Sequence, residues 1–169
     1  MKRFLLLPSA VALLVIAAGC GGGGGNTEAT VAAGRSVSGP GFAFQVPEEW
    51  TAKVLPTSAE ARQDASVVSV TVSPLVKPYR IALFPRVAKE LDRVASAYAA
   101  RLEGTVTERR TVEVAGRKAR QYEIAHGELV DRITFLLRGR RNFQLTCRWQ
   151  SADGEPSACA QLTASFVFR

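Results

Sequence analysis

The segment TVTERRTVEVAGRKARQYEIAHGELVDRITFLLRGRRNFQLTCRW, Thr105 to Trp149, decides the fold. Apolar and polar residues alternate along it, and three short breaks interrupt the alternation: Ala115-Gly116, His126-Gly127 and Gly139-Arg140-Arg141. A period of two marks strands with one face turned to a core. Links this short leave no room for the crossover of a parallel return, so successive strands must be antiparallel. The spacing predicts strands over Thr105 to Val114, Arg117 to Ala125, Glu128 to Arg138 and Asn142 to Trp149.

Upstream of this meander the period becomes helical. Pro85 suits a first turn, Val87, Leu91, Val94, Tyr98 and Leu102 recur at steps of three and four, and Ala88 and Ala95 widen the stripe. Gly104 is a natural stop, and Lys89, Asp92, Arg93 and Arg101 are expected to face away from the core. Ser66 to Ser73 carries Val67, Val68, Val70 and Val72 and reads as a strand, broken by Pro74 and Pro78. Pro56 to Ala65 reads as loop. Gly41 to Val46 alternates and reads as the first strand, turning at Pro47-Glu48-Glu49-Trp50 into Thr51 to Leu55 as its partner. Downstream, Glu155 to Ala164 reads as a terminal helix and Phe166-Val167-Phe168 as a last strand. A single domain, 41–169, of the α+β class follows, an antiparallel β-sheet flanked by helices.

The first nineteen residues read as a leader. Lys2 and Arg3 precede an apolar run, Phe4 to Ala18, and small residues then lead to Cys20. The run contains Pro8 and is shorter than the roughly 20 apolar residues of a permanent span. Ile16-Ala17-Ala18-Gly19-Cys20 resembles the bacterial lipobox, with Ala17 standing where that pattern favours Leu. The resemblance implies that Cys20 is acylated and becomes the new N-terminus. That would hold the chain on the cell membrane, facing the extracytoplasmic side. Several acyl chains hold durably where one anchors only marginally, at about 0.8 kcal/mol per buried CH₂. Residues 20–40, with five consecutive glycines after the cysteine, read as a tether.

Formal charge is +7. Without Lys2 and Arg3, 20 basic residues face 15 acidic ones, a net of +5. Outside the membrane this basic balance favours anionic lipid or wall polymer over nucleic acid. With Cys20 acylated, Cys147 and Cys159 remain as a candidate disulfide, which an exported compartment permits. Cys147 points with Phe143, Leu145 and Trp149, and Cys159 lies in the terminal helix. Two buried free thiols are the alternative.

Residues for catalysis do not assemble in the sequence. His126 is the only histidine and is expected on a solvated hairpin tip. With Glu128 and Asp131 it offers one nitrogen and two carboxylates, a poor zinc set. No phosphate loop occurs, Glu48-Glu49 is a turn pair, and Trp50 and Trp149 read as core aromatics. No enzyme activity, metal or cofactor is expected. The basic residues of the meander stand out: Arg109, Arg110, Arg117, Lys118, Arg120, Arg132, Arg138, Arg140, Arg141 and Arg148. Arg138, Arg140 and Arg141, at a turn, are the candidate contacts for anionic lipid, a wall polymer or an envelope protein. Solvated strand faces paired with Glu108, Glu113 and Glu123 are the alternative. The expected role is a membrane-anchored, non-enzymatic interaction module of the envelope. Its rival is a carrier of a small apolar or lipid-like ligand in a cleft between helix and sheet.

Gly41-Phe42-Ala43-Phe44-Gln45-Val46-Pro47-Glu48-Glu49-Trp50 resembles the first hairpin of the PsbP-like group, named for an extrinsic subunit of photosystem II. Val114-Ala115-Gly116-Arg117 resembles its central hairpin and Ser165-Phe166 its end. The resemblance implies an α-β-α sandwich. No metal-binding or partner-binding residue of that subunit can be matched to a position here.

Overall fold

The computed structural model describes residues 34–169, so the leader and Cys20 lie outside the described residues. In chain order the elements are β1 (Arg35–Gly39), β2 (Phe42–Val46), β3 (Thr51–Leu55), β4 (Ser58–Gln63), β5 (Ser66–Tyr79), α1 (Phe84–Arg101), β6 (Thr105–Val114), β7 (Arg117–His126), β8 (Leu129–Gln150), α2 (Ser157–Ser165) and β9 (Val167–Phe168). A 3-10 turn, Ile81–Leu83, leads into α1.

The antiparallel meander forms as its alternation predicts. β6 pairs with β7 from Val114↔Arg117 to Thr105↔Ala125, and β7 with β8 from His126↔Leu129 to Arg120↔Phe135. β8 is a single run of 22 residues, which laid straight would span about 70 Å. It does not lie straight. Asp131 and Arg148 are in contact at 2.6 Å, and the Ser151 amide donates to the Glu128 carbonyl at 2.8 Å. β8 therefore doubles back around Gly139-Arg140, where Gly139 takes a φ of 57°, a left-handed conformation that glycine adopts without strain. Its first arm pairs with β7 and its second, Gly139 to Arg148, with β5. The large sheet runs β3-β4-β5-β8-β7-β6, with β8 contributing both arms; the small sheet runs β1-β2-β9.

Each face of the large sheet carries its own core. On one side Ala95 and Ala99 of α1 pack against Tyr122, Ile124, Ile133 and Phe135. On the other, Phe143, Leu145, Cys147 and Trp149 meet the small sheet and α2 through Phe42, Phe44, Leu162 and Phe166. Phe42, Phe143, Phe166 and Phe168 form a cluster with ring centroids 5.1–6.3 Å apart. The outcome is helix, sheet, then small sheet with helix. Among the described residues, every strand pairing and both cores lie within residues 35–168, which gives this segment two sheets and a core of its own.

Several expectations are corrected. The tether reading of 20–40 fails at its end, because Arg35–Gly39 pair with β2 along their whole length. Thr51–Leu55 are not the partner of β2; the turn ending at buried Trp50 carries the chain to the other sheet, where β3 pairs with β4. Ser58–Gln63 are a strand and not loop, with Ala59 and Ala61 buried on its core face. Pro74 and Pro78 do not end β5, which runs on to Tyr79 with a bulge between Pro74 and Tyr79. α1 is rotated from its expected setting: Val94 is exposed, Ala95 and Ala99 are the buried residues, and Asp92 turns toward the sheet.

Candidate contact surface

The structure divides the basic residues of the meander into two groups. Arg120 donates from Nε to Asp92 Oδ1 at 3.0 Å, beside Tyr122, whose hydroxyl donates to the same oxygen at 2.8 Å. Arg132 bridges Glu123 and Glu155 and lies 5.4 Å over the Trp149 ring, tying the loop before α2 to the sheet. Arg148 grips Asp131 with two donors, at 2.6 and 2.7 Å. Arg110 meets Glu108 and Gln121, and Arg109 donates to Ser96. These five hold elements together.

The other five gather at one end of the large sheet. Arg117, Lys118, Arg138, Arg140 and Arg141 are exposed, and no ion pair involves them among the described residues. Arg117 and Arg138 both lie against the Phe168 ring, at 5.9 and 4.6 Å from its centroid. Arg141 lies over Gly41, where a Cβ would come within 2.6 Å of its Nη1. Arg140 donates from Nη2 to the carbonyl of Val76 at 3.0 Å. An open hollow of about 270 Å³ is lined by Gly41, Arg138, Gly139, Arg141, Phe143 and Arg169. Guanidiniums held this way keep donors free for phosphate or carboxylate.

The opposite end corrects a further expectation. His126 is not a solvated tip: its side chain is only 10% exposed and its Nε2 stands 3.3 Å from Asp131 Oδ2, without an aligned hydrogen bond. Asp131 is fully buried and also accepts from the Tyr98 hydroxyl at 3.4 Å. Burial, and then the charge of Asp131, hold the Tyr98 phenol above its ordinary range. With both its oxygens engaged and Glu128 exposed, Asp131 gives no open metal set, and no cluster of three or more His, Cys, Asp or Glu poised to hold a metal occurs among the described residues. An open hollow of about 780 Å³ beside His126 is lined by Leu102, Glu103, Glu128 and Leu129. Among the described residues its lining includes two carboxylates, Glu103 and Glu128, and no Ser, Thr or Cys.

Sequence reasoning missed the Asp131–Arg148 and Asp92–Arg120–Tyr122 contacts. A signal for the first was present, since Asp131 falls in register with Ile133 and Phe135 on the apolar face. Trp50 and Trp149 are core residues. Cys147 on β8 and Cys159 on α2 are placed as a disulfide, with Cα atoms 5.5 Å apart. Where a carrier cleft would open between helix and sheet, Ala95 and Ala99 bring α1 directly onto Tyr122 and Ile133.

Together these features define an α+β protein with the PsbP-like fold. The chain is similar to the cyanobacterial PsbP (CyanoP) from Synechocystis sp. PCC 6803, with a TM-score of 0.54 at 12% identity, covering 76% of this chain and 87% of that one. It is also similar to a crystal structure from Bacteroides thetaiotaomicron VPI-5482, with a TM-score of 0.53 at 11% identity over 76% of this chain. There the chain spans 45% of the other's length. Identities this low show the fold alone. No family model matches the chain, and no curated protein matches it. No helix among the described residues is long and apolar enough to cross a membrane.

The Asp92 contacts carry a pH prediction. Partial burial opposes its charge, but the hydrogen bonds from Tyr122 and Arg120 and the charges of Arg120 and Arg109 outweigh that, so its carboxyl sits below the usual range. A depressed carboxyl stabilises above its unfolded pKa of about 3.9 and loses that contribution as pH falls through the lower folded value. Asp92→Asn should cost about 1–2 kcal/mol at pH 7, and the gap to the native protein should narrow steadily below about pH 4. Urea unfolding across that range checks it; a pH-independent gap contradicts it.

Proposed function

We propose that the protein is a membrane-anchored, non-catalytic interaction module of the cell envelope, attached through lipid on Cys20. Its working surface is the end that carries Arg117, Lys118, Arg138, Arg140 and Arg141, and its ligands are anionic groups of the envelope. One observation carries the reading. The basic residues with a structural task have carboxylate, amide or hydroxyl partners, whereas the five at this end are exposed and have no carboxylate partner among the described residues. Like charges collected without acidic partners cost self-repulsion, which an anionic partner relieves. The cysteine pairing is in keeping with an oxidising, extracytoplasmic site.

Two measurements test this. Residues 34–169 carrying Arg140→Glu and Arg141→Glu should bind anionic envelope polymer at least roughly tenfold more weakly at low salt, since each cation near an anionic surface contributes about 1 kcal/mol. The salt dependence should flatten as well. Unchanged affinity removes this end as the working surface. For the anchor, the intact mass of protein extracted from membranes should begin at an acylated Cys20. A chain that retains Met1, with a free thiol at position 20, contradicts attachment.

A further inference from the structure

The bulge in β5 shows which anionic partner this end fits. Pro74 pairs with Arg141 and Tyr79 with Gly139, so β5 takes five steps where β8 takes two. Of the residues in this bulge, Leu75 stays half-buried while Val76 and Lys77 are exposed. Val76 is 89% exposed, far more than a strand valine normally is, and Ile81, on the 3-10 turn that follows, is 58% exposed. Neither is isolated from the cations. The Val76 carbonyl accepts from Arg140, and Ile81 lines one hollow with Arg117 and Lys118. Glu113, opposite Lys118 in the β6–β7 hairpin, is the carboxylate that shares that hollow.

We infer that this end is a bilayer-docking edge: Val76 and Ile81 enter the headgroup layer of an anionic membrane while the surrounding arginines bind its phosphates. The inference rests on the functional reading above and narrows its partner. A wall polymer offers charge but no apolar layer, and would leave two aliphatic tips in water. A protein partner that adds a strand is less well matched to this edge. Pro74 and Pro78 frame the bulge and lack amide donors, so it is a poor template for an added strand. A bilayer supplies both parts at the right depth, phosphate outside and hydrocarbon a few ångströms beneath.

The test uses residues 34–169 with two probes: vesicles of equal phosphatidylcholine and phosphatidylglycerol, and soluble inorganic polyphosphate. Val76→Ser with Ile81→Ser should lower vesicle affinity roughly tenfold and leave polyphosphate binding unchanged. Both sites are exposed, so folding is spared. Emission from Val76→Trp should shift to the blue on vesicles and not on polyphosphate, because Trp50 and Trp149 are buried and contribute a constant background. Native vesicle affinity for the serine pair, or unshifted emission on vesicles, overturns bilayer docking and leaves the functional reading intact. If Arg140→Glu with Arg141→Glu weakens binding to neither probe, that reading falls as well.

Discussion

Asp131 has no exposure to water, and a carboxylate so placed needs a cation held against it. Arg148 supplies it from the other arm of β8, with two donors on two oxygens. A pair of this kind contributes less to net stability than to uniqueness, because a register slip by one residue would turn Asp131 and its apolar neighbours to the wrong face. Fixing Asp131 opposite Arg148 fixes the midpoint of the hairpin at Gly139-Arg140. It thereby fixes Arg138, Arg140 and Arg141 at the tip. The buried pair at one end and the exposed cations at the other are consequences of one register.

That register also explains why net charge alone is a poor guide here. Arg120, Arg132 and Arg148 are partly buried on carboxylates, and Arg132 in addition covers Trp149. They are internal fittings that happen to be cationic. Arg138 and Arg117 instead stack on Phe168, which positions their charge without neutralising it. The same element, β8, supplies members of both groups, so the distinction rests on which side chain faces a carboxylate.

Much of the fold was legible because alternation and helical period are strong over long segments. β6, β7, the two arms of β8, α1 and α2 follow from the pattern of Val, Ile, Leu and Phe, and the α+β class follows from their order. The misses share a cause. β1 has one buried apolar residue, Val37, and β4 has Ala59 and Ala61, small side chains that bury well but announce a strand weakly. β5 continues through two prolines because Pro74 stands at the last regular pair before the bulge and Pro78 falls within it, outside the ladder. Of the contact surface, Arg138, Arg140 and Arg141 were legible as turn residues. Val76 was not, since its exposure depends on a register mismatch between β5 and β8 that one strand's sequence does not reveal. Asp92 and His126 were misplaced because α1 is rotated to seat Ala95 and Ala99, and because the turn at His126 folds over Asp131.

The arginines are sorted by task, and their reactivity reads this directly. Residue-resolved modification with a guanidinium-selective dicarbonyl, in solution and on anionic vesicles, separates the two groups in one protein. Rapid labelling of Arg117, Arg138, Arg140 and Arg141 in solution, their protection on vesicles, and slow labelling of Arg120, Arg132 and Arg148 in both are the expected result. Equal labelling of all seven, or protection that leaves the Gly139 end reactive, would contradict it.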